Sequence, residues 1–277
     1  MVAGSNPVIP TIFFTMKKRI FLTNDDGIYA SGLIALENYL SKSNGIFFTS
    51  APLHEKSGVG HSITLHSPLR IHEFNENKYA VDGTPTDSVF LGLNHLSSVK
   101  PDLIVSGINR GANLANDLTY SGTFSAALEG FYHNISSIAV SLFITDFSVF
   151  NDSFFTSCAK IFFEKVLPFI EESVGEEFYL KPHLINVNIP QSAIQEDIDS
   201  IIIEWTKLGK RLYGGAVVKR VDPRGRDYYW IGGDQSGFVD FPGSDCNSVL
   251  AGKISVTPIK ISLTDDEKLI YLKSVAR

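Results

Sequence analysis

Two carboxylates stand side by side at Asp25-Asp26, between the apolar run Ile20-Phe21-Leu22 and Gly27. Neighbouring acids repel, so ionising both is costly unless a cation neutralises them, and a hard divalent metal held through oxygen is the natural remedy. Asn24-Asp25-Asp26-Gly27 is also good turn chemistry, and a solvated turn would account for the same four residues. A second candidate stretch is the polar Glu55-Lys56-Ser57-Gly58-Val59-Gly60-His61. A third is Asn109 with the loop through Asn113, followed by Tyr120-Ser121-Gly122-Thr123 and the helical Phe124-Ser125-Ala126-Ala127-Leu128-Glu129-Gly130. Hydroxyls and a glycine at a helix start turn free N–H groups and the positive dipole end toward an anion, as phosphate sites do. An ordinary Ser/Thr cap would use the same residues.

The elements that would carry these loops have the texture of an α/β fold. Arg19–Thr23 reads as a buried strand of a parallel sheet, and its carboxyl end opens into the crevice where such folds bind ligands. Ser31–Leu40 has helical spacing, and Gly45–Pro52 is a second strand that completes a βαβ unit. Ile63–Phe74 is an extended excursion on which His66 and His72 lack ligand spacing and are surface or packing residues. Tyr79-Ala80-Val81 is a short strand. Thr84 is an N-cap with Pro85 and Asp87 at the first and third helical positions, ahead of a helix through Val89, Leu93 and Leu96. A cap near the crevice is also a candidate substrate contact. Pro101–Asn109 is a central strand, Gly130 ends the helix after Thr123, Ser137–Ile144 is a strand, Phe154–Glu172 is one long helix, and Leu184–Pro190 is the last strand of the main sheet. Beyond Gln191, short strand-like runs at 201–205, 216–221 and 228–231 alternate with Gly and Pro turns; hairpins with exposed aromatics need a partner surface. Lys253–Ser262 alternates like a strand and Asp266–Val275 is a short helix.

At 277 residues the chain can bury a sizeable core. Its 44% hydrophobic and 19% charged residues are those of an ordinary globular protein. A net charge of −6 argues against a protein that coats nucleic acid, which needs a basic surface. No stretch has the roughly 20 apolar residues of a membrane span, and the first 15 residues lack the positive start of a secretory signal, so a cytoplasmic protein is expected. Cys158 and Cys246 have no metal spacing and read as two buried thiols in a reducing compartment.

Three loops from three strand ends thus bring paired carboxylates, a Ser-Gly loop and an Asn-rich loop that feeds a helix start. Leu22–Gly27, Ser57-Gly58, Gly83–Asp87, Ser106–Leu114, Tyr120–Thr123, Asp222–Gly225 and Tyr229–Gly232 together resemble, in order and spacing, the SurE family of metal-dependent nucleotidases. The resemblance implies a Rossmann-like α/β fold, a parallel sheet flanked by helices with a C-terminal β-hairpin oligomerisation element. It further implies one divalent metal ion per subunit, Mg²⁺ or Mn²⁺, held by Asp25, Asp26, Ser57 and Asn109. Asn113, Ser121, Gly122 and Thr123 would bind substrate phosphate. Family members act on nucleoside 5′- or 3′-monophosphates and assemble as homodimers or homotetramers through an exchanged C-terminal segment. On this basis residues 1–15 are an N-terminal extension, 16–190 the catalytic core, 191–245 the oligomerisation element and 246–277 a C-terminal strand and helix.

The mechanism expected is in-line hydrolysis of a phosphomonoester, with Asp25 or Asp26 accepting the proton of the attacking water. His61 is a candidate leaving-group acid, or a loop histidine that lines the pocket. A phospho-aspartate route would need an acid two residues after Asp25, where Gly27 stands. A receiver-like signalling domain would need an aspartate where the chain has Asn109. A non-hydrolytic nucleotide- and metal-binding module is the alternative, since binding and hydrolysis share ligands.

Overall fold

The computed structural model describes residues 18–212, 217–231 and 237–275. The expected N-terminal extension at 1–15 lies outside the described residues. Strand β1 (Arg19–Thr23) passes through the core with Phe21 and Leu22 fully buried. Helix α1 (Ser31–Lys42) crosses back to β2 (Ile46–Pro52), and β3 (Ile71–Asn75) and β4 (Lys78–Val81) form an edge hairpin that leaves His66 and His72 exposed. Helix α2 (Pro85–Leu91) begins at a complete capping box: Thr84 accepts from Asp87 N, and the Asp87 carboxylate accepts from Thr84 N. It continues through one wider turn, Gly92–Leu96.

Strand β5 (Leu103–Arg110), helix α3 (Gly122–Tyr132), β6 (Ser136–Phe143), helices α4 (Ser153–Ile161), α5 (Leu167–Val174) and α6 (Glu177–Leu180), and β7 (Leu184–Pro190) follow. The expected single helix over Phe154–Glu172 is α4 and α5 joined by a wider turn at Phe162–Val166. Pro168 stands just beyond it; a proline lacks an N–H and crowds the carbonyl four residues back, which a wider turn relieves.

The sheet runs β3-β4-β2-β1-β5-β6-β7 and continues with β11 (Ile254–Pro258) and β8 (Ile203–Trp205), and its six central strands from β4 to β7 are parallel. Leu184–Pro190 is therefore not the last strand. β11 pairs antiparallel beside β7, and β8 joins outside it. An apolar run announces a strand but not its neighbour, which is why sequence placed these two apart from the sheet. Strands β9 (Val217–Val221) and β10 (Asp227–Ile231) form a separate antiparallel ribbon, turned at Asp222–Gly225 and almost wholly exposed. Helix α7 (Asp245–Leu250) packs on β11, while α8 (Asp266–Val275) buries none of its residues. Cys158 and Cys246 are free and buried, and burial pushes both thiols up from their ordinary range. Among the described residues no helix is long and apolar enough to cross a membrane.

Gly130 does not end α3, as expected, but lies inside it. A Cβ at this position would fall 2.2 Å from Ile104 Cδ1 and 2.6 Å from Ser137 Oγ, so its role is to let the helix sit directly on β5 and β6. Gly130→Ala is accordingly expected to destabilise the protein by about 1–3 kcal/mol through overpacking, despite the better helix propensity of alanine. A lowered denaturant midpoint with unchanged slope is the expected reading.

Candidate active site

The turn after β1 is closed by Asn24, whose side chain accepts from Gly27 N (3.2 Å) and donates to Gly27 O (2.9 Å). This fixes Asp25 and Asp26 at the carboxyl edge of the sheet, beside the end of β5. Asp25 is only 4% exposed. Thr123 holds its Oδ1 with the hydroxyl at 2.5 Å and also donates its backbone N–H to the carboxylate. Gly122 closes on the same side chain: a Cβ there would lie 2.6 Å from Asp25 Cβ and 2.8 Å from Oδ2. The amino end of α3, with its positive dipole, is thereby set against the buried acid.

Burial pushes the Asp25 carboxyl up to about 6; the Thr123 bond acts against this rise and the charge of Asp26 adds to it. Asp26 is also raised, first by burial and then by the charge of Glu55, against a hydrogen bond from Arg110 N (3.4 Å). Two such acids call for a cation. Asn109 donates its Nδ2 to Gly111 O at 2.8 Å, which leaves Oδ1 as its coordinating atom. Ser57 is exposed and donates to Glu55 Oε1 (2.8 Å), on a loop tied to the site by Lys56 N to Asp25 O (2.8 Å). Among the described residues no three of His, Cys, Asp and Glu gather closely enough to hold a metal by themselves. The available donors are two carboxylates and neutral oxygens, an all-oxygen set that fits a hard divalent cation.

Ser121 is the N-cap of α3 and accepts from Phe124 N at 3.0 Å, so its own hydrogen remains to be donated. Asn113 is fixed from both ends. Its N–H donates to Asn188 Oδ1 (2.9 Å), its carbonyl accepts from Asn186 and Asn188 (2.8 and 3.0 Å), and its Nδ2 donates to Ser141 Oγ (2.8 Å), which leaves one amide hydrogen over. Thr84 donates to Ser62 O (2.7 Å), and Asp87 receives Thr64 N (2.9 Å) and Thr64 Oγ1 (2.6 Å), so the α2 cap clamps the loop that carries Ser57 and His61. His61 bonds Glu129 on α3 at 2.9 Å.

Sequence reasoning missed several of these partners. Asn186 and Asn188 alternate within the buried strand β7, a pattern that marks polar groups with work to do inside a core. Asp245 is fully buried and accepts from Ala115 N (2.9 Å) and Gly209 N (2.7 Å), which pins the turn after Asn113. Glu129 stands out only as the one acid in a small-residue helix. Glu55 had no signal beyond its place in the loop. A cavity at the opposite sheet edge, lined by Arg19, Lys100, Asp102 and Lys181, has Arg19 paired with Asp102, Lys181 with Glu177 and Lys100 on Asn134 O, and carries none of this chemistry.

Residues 20–215 match the family model described as Survival protein SurE. The chain belongs to the SurE family. It is 46% identical to the 5′-nucleotidase SurE of Geotalea uraniireducens (strain Rf4), over 92% of this chain and 98% of that one. It is 43% identical to the 5′-nucleotidase SurE of Geobacter sulfurreducens, over 92% of this chain and 93% of that one. The crystal structure of the SurE protein from Aquifex aeolicus superposes with a TM-score of 0.76 at 38% identity, over 94% of this chain and 100% of that one. In this SurE chain the α3 contact with Asp25 suggests a direct test. In Gly122→Ala the added methyl must displace Asp25, and Mn²⁺ affinity measured by calorimetry is expected to fall about tenfold or more while the circular dichroism spectrum is kept.

Proposed function

We propose that this SurE protein is a metal-dependent phosphomonoesterase that hydrolyses nucleoside 5′-monophosphates to nucleoside and phosphate, with 3′-monophosphates as a second substrate class for the same phosphate site. The observation that carries this reading is the contact of Asp25 with Gly122 and Thr123, which joins a paired-acid turn to a helix start. The naming of the Geotalea and Geobacter relatives as 5′-nucleotidases supports the nucleotide as substrate.

Asp25, Asp26, Asn109 and Ser57 would hold one Mg²⁺ or Mn²⁺ ion. When bound, that ion supplies neutralisation of phosphoryl charge and acidifies a water. The Ser121 hydroxyl, the Gly122 N–H and the spare amide hydrogen of Asn113 would hold phosphoryl oxygens, whose charge they stabilise as the P–O bond breaks. Thr123 directs both of its donors at Asp25 and so keeps that carboxylate in place. Asp25 or Asp26 accepts the proton of the water that attacks phosphorus in line. The ester oxygen takes a proton from water at the open side of the site as the P–O bond breaks, and the nucleoside leaves there.

The ribbon β9–β10 presents Tyr229 and Trp230, 59% and 64% exposed, and a two-stranded ribbon is not stable alone. We assign it the assembly of homodimers or homotetramers. Two free buried thiols suit the cytoplasm.

Phosphate release from a panel of nucleoside monophosphates with Mn²⁺ or Mg²⁺, abolished by EDTA, is the expected behaviour; no release from any of them would refute the reading and favour a binding module. Asp25→Asn is expected to lose about a hundredfold or more in kcat while keeping the fold, because the neutral amide fills the same buried volume at lower desolvation cost. Full activity in that variant would remove Asp25 from the chemistry. Light scattering on Tyr229→Lys/Trp230→Lys is expected to give a monomer, and an unchanged mass would take the ribbon out of the interface.

A further inference from the structure

Helix α3 and the loop that carries His61 are both anchored at the Asp25 end, and a hydrogen bond between His61 and Glu129 joins them farther along the helix. The loop is fixed at four points: Lys56 N on Asp25 O, Gly60 N on Tyr120 O (3.2 Å), Ser62 O under Thr84, and Thr64 on Asp87. His61 is thus placed by backbone bonds and not by its side chain alone. Glu129 lies seven residues after Gly122, on the same stripe of α3, about 10 Å along the axis. Helical side chains lean toward the amino end, which brings the Glu129 carboxylate back by about a turn, some 5 Å from the phosphate end. That is farther than the scissile bond and within the span of a nucleoside attached to a phosphate held at Ser121 and Gly122.

The carboxylate of Glu129 is nearly buried, with its side chain 10% exposed, and has two histidine neighbours. His133 is satisfied at both nitrogens: Nδ1 bonds Glu129 O (2.9 Å) and stands 3.4 Å from Oε1, while Nε2 accepts from Asn94 Nδ2 (3.1 Å). His61 differs. Its Nε2 meets Glu129 Oε2 at 2.9 Å, its ring lies beside Tyr132 at 5.8 Å, and its side chain is 31% exposed. Among the described residues Nδ1 of His61 has no hydrogen-bond partner. A buried acid that fixes one ring nitrogen while the other, on a partly exposed side chain, is left without a partner is an arrangement for presenting that second nitrogen to a ligand.

We propose that Glu129 is a positioning residue that holds His61 at the sugar-binding end of the site, where Nδ1 hydrogen-bonds a ribose hydroxyl of the nucleotide. This rests on the nucleotidase reading above. It also assigns His61 to recognition of the nucleoside and not to protonation of the leaving oxygen.

The two roles are separated by comparing adenosine 5′-monophosphate with propyl phosphate, which has an equally poor alkoxide leaving group and no sugar. In Glu129→Ala and in His61→Ala the ratio of kcat/KM for the nucleotide to that for propyl phosphate is expected to fall about tenfold, mostly through KM. The double variant should lose no more than either single one, because both remove the same contact. Glu129→Gln, whose amide oxygen still accepts the Nε2 hydrogen, should recover most of the ratio. His61→Ala, a loop change, keeps the test open should Glu129→Ala fold poorly. Equal losses on both substrates, or no change in the ratio, would overturn the proposal, the former pointing to a leaving-group acid or to general damage. Absence of phosphate release by the wild-type protein with Mn²⁺ would instead bring down the nucleotidase reading itself.

Discussion

The contact between Asp25 and the first turn of α3 is the constraint around which the molecule is built. A carboxylate taken almost wholly out of water is disfavoured as an ion. The Thr123 hydroxyl and N–H, with the positive end of an 11-residue helix, offset part of that cost. Asp26 and Glu55 then add like charge from the other side. The pair is left wanting a counter-charge, and the helix start beside it wants an anion. A divalent cation together with a phosphoryl group would answer both, with opposite charges alternating along the site.

Such a site works only when backbone positions are held closely, and the fold does this with small residues and buried polar groups. Gly122 and Gly130 let α3 press against Asp25 at one end and against β5 and β6 along its length. The Asn113 loop leans on Ser141, Asn186 and Asn188, and the turn after it hangs from Asp245. These groups are buried, and Asn186, Asn188 and Asp245 each bond a backbone N–H or C=O of the loop while Ser141 accepts from the Asn113 amide. An unpaired member would cost more than the bond contributes, so the network fixes one geometry and penalises others.

Local signals were read well from the sequence because their causes are local. The β1 run, the Thr84-Pro85-Thr86-Asp87 cap and the Ser121 helix start each depend on a few adjacent residues, and the structure has all three. What sequence could not supply was pairing over long separations. β11 enters the sheet beside β7 and Asp245 reaches the turn at Ala115, 130 residues away. Gly130 was misread for a related reason: a glycine near a helix end suggests a stop, and only the position of Ile104 and Ser137 shows that it is a point of close approach. Glu129 carried no signal of its own in the sequence, because its partner His61 lies on a loop 68 residues earlier in the chain.

The C-terminal part of the chain obeys a different balance. The core encloses its apolar residues, whereas β9, β10 and α8 leave Trp230, Ile231, Ile270 and Tyr271 exposed, and no packing among the described residues covers them. Yet the base of the ribbon is not detached from the site. Arg211 N donates to Asn116 Oδ1 (3.1 Å), Arg211 pairs with Phe238 across the ribbon base, and Gly209 shares the Asp245 carboxylate with Ala115. The turn at 115–117 precedes the Ser121 cap by only a few residues. Asp245 and Asn116 therefore tie the segment at 209–211 to the loop between Asn113 and Ser121. The Asp25 contact, by contrast, is held by β1 and α3 and depends on neither. The Asp25 contact thus belongs to the core alone, whereas the turn that leads into the Ser121 cap is shared with the segment around Gly209 and Arg211.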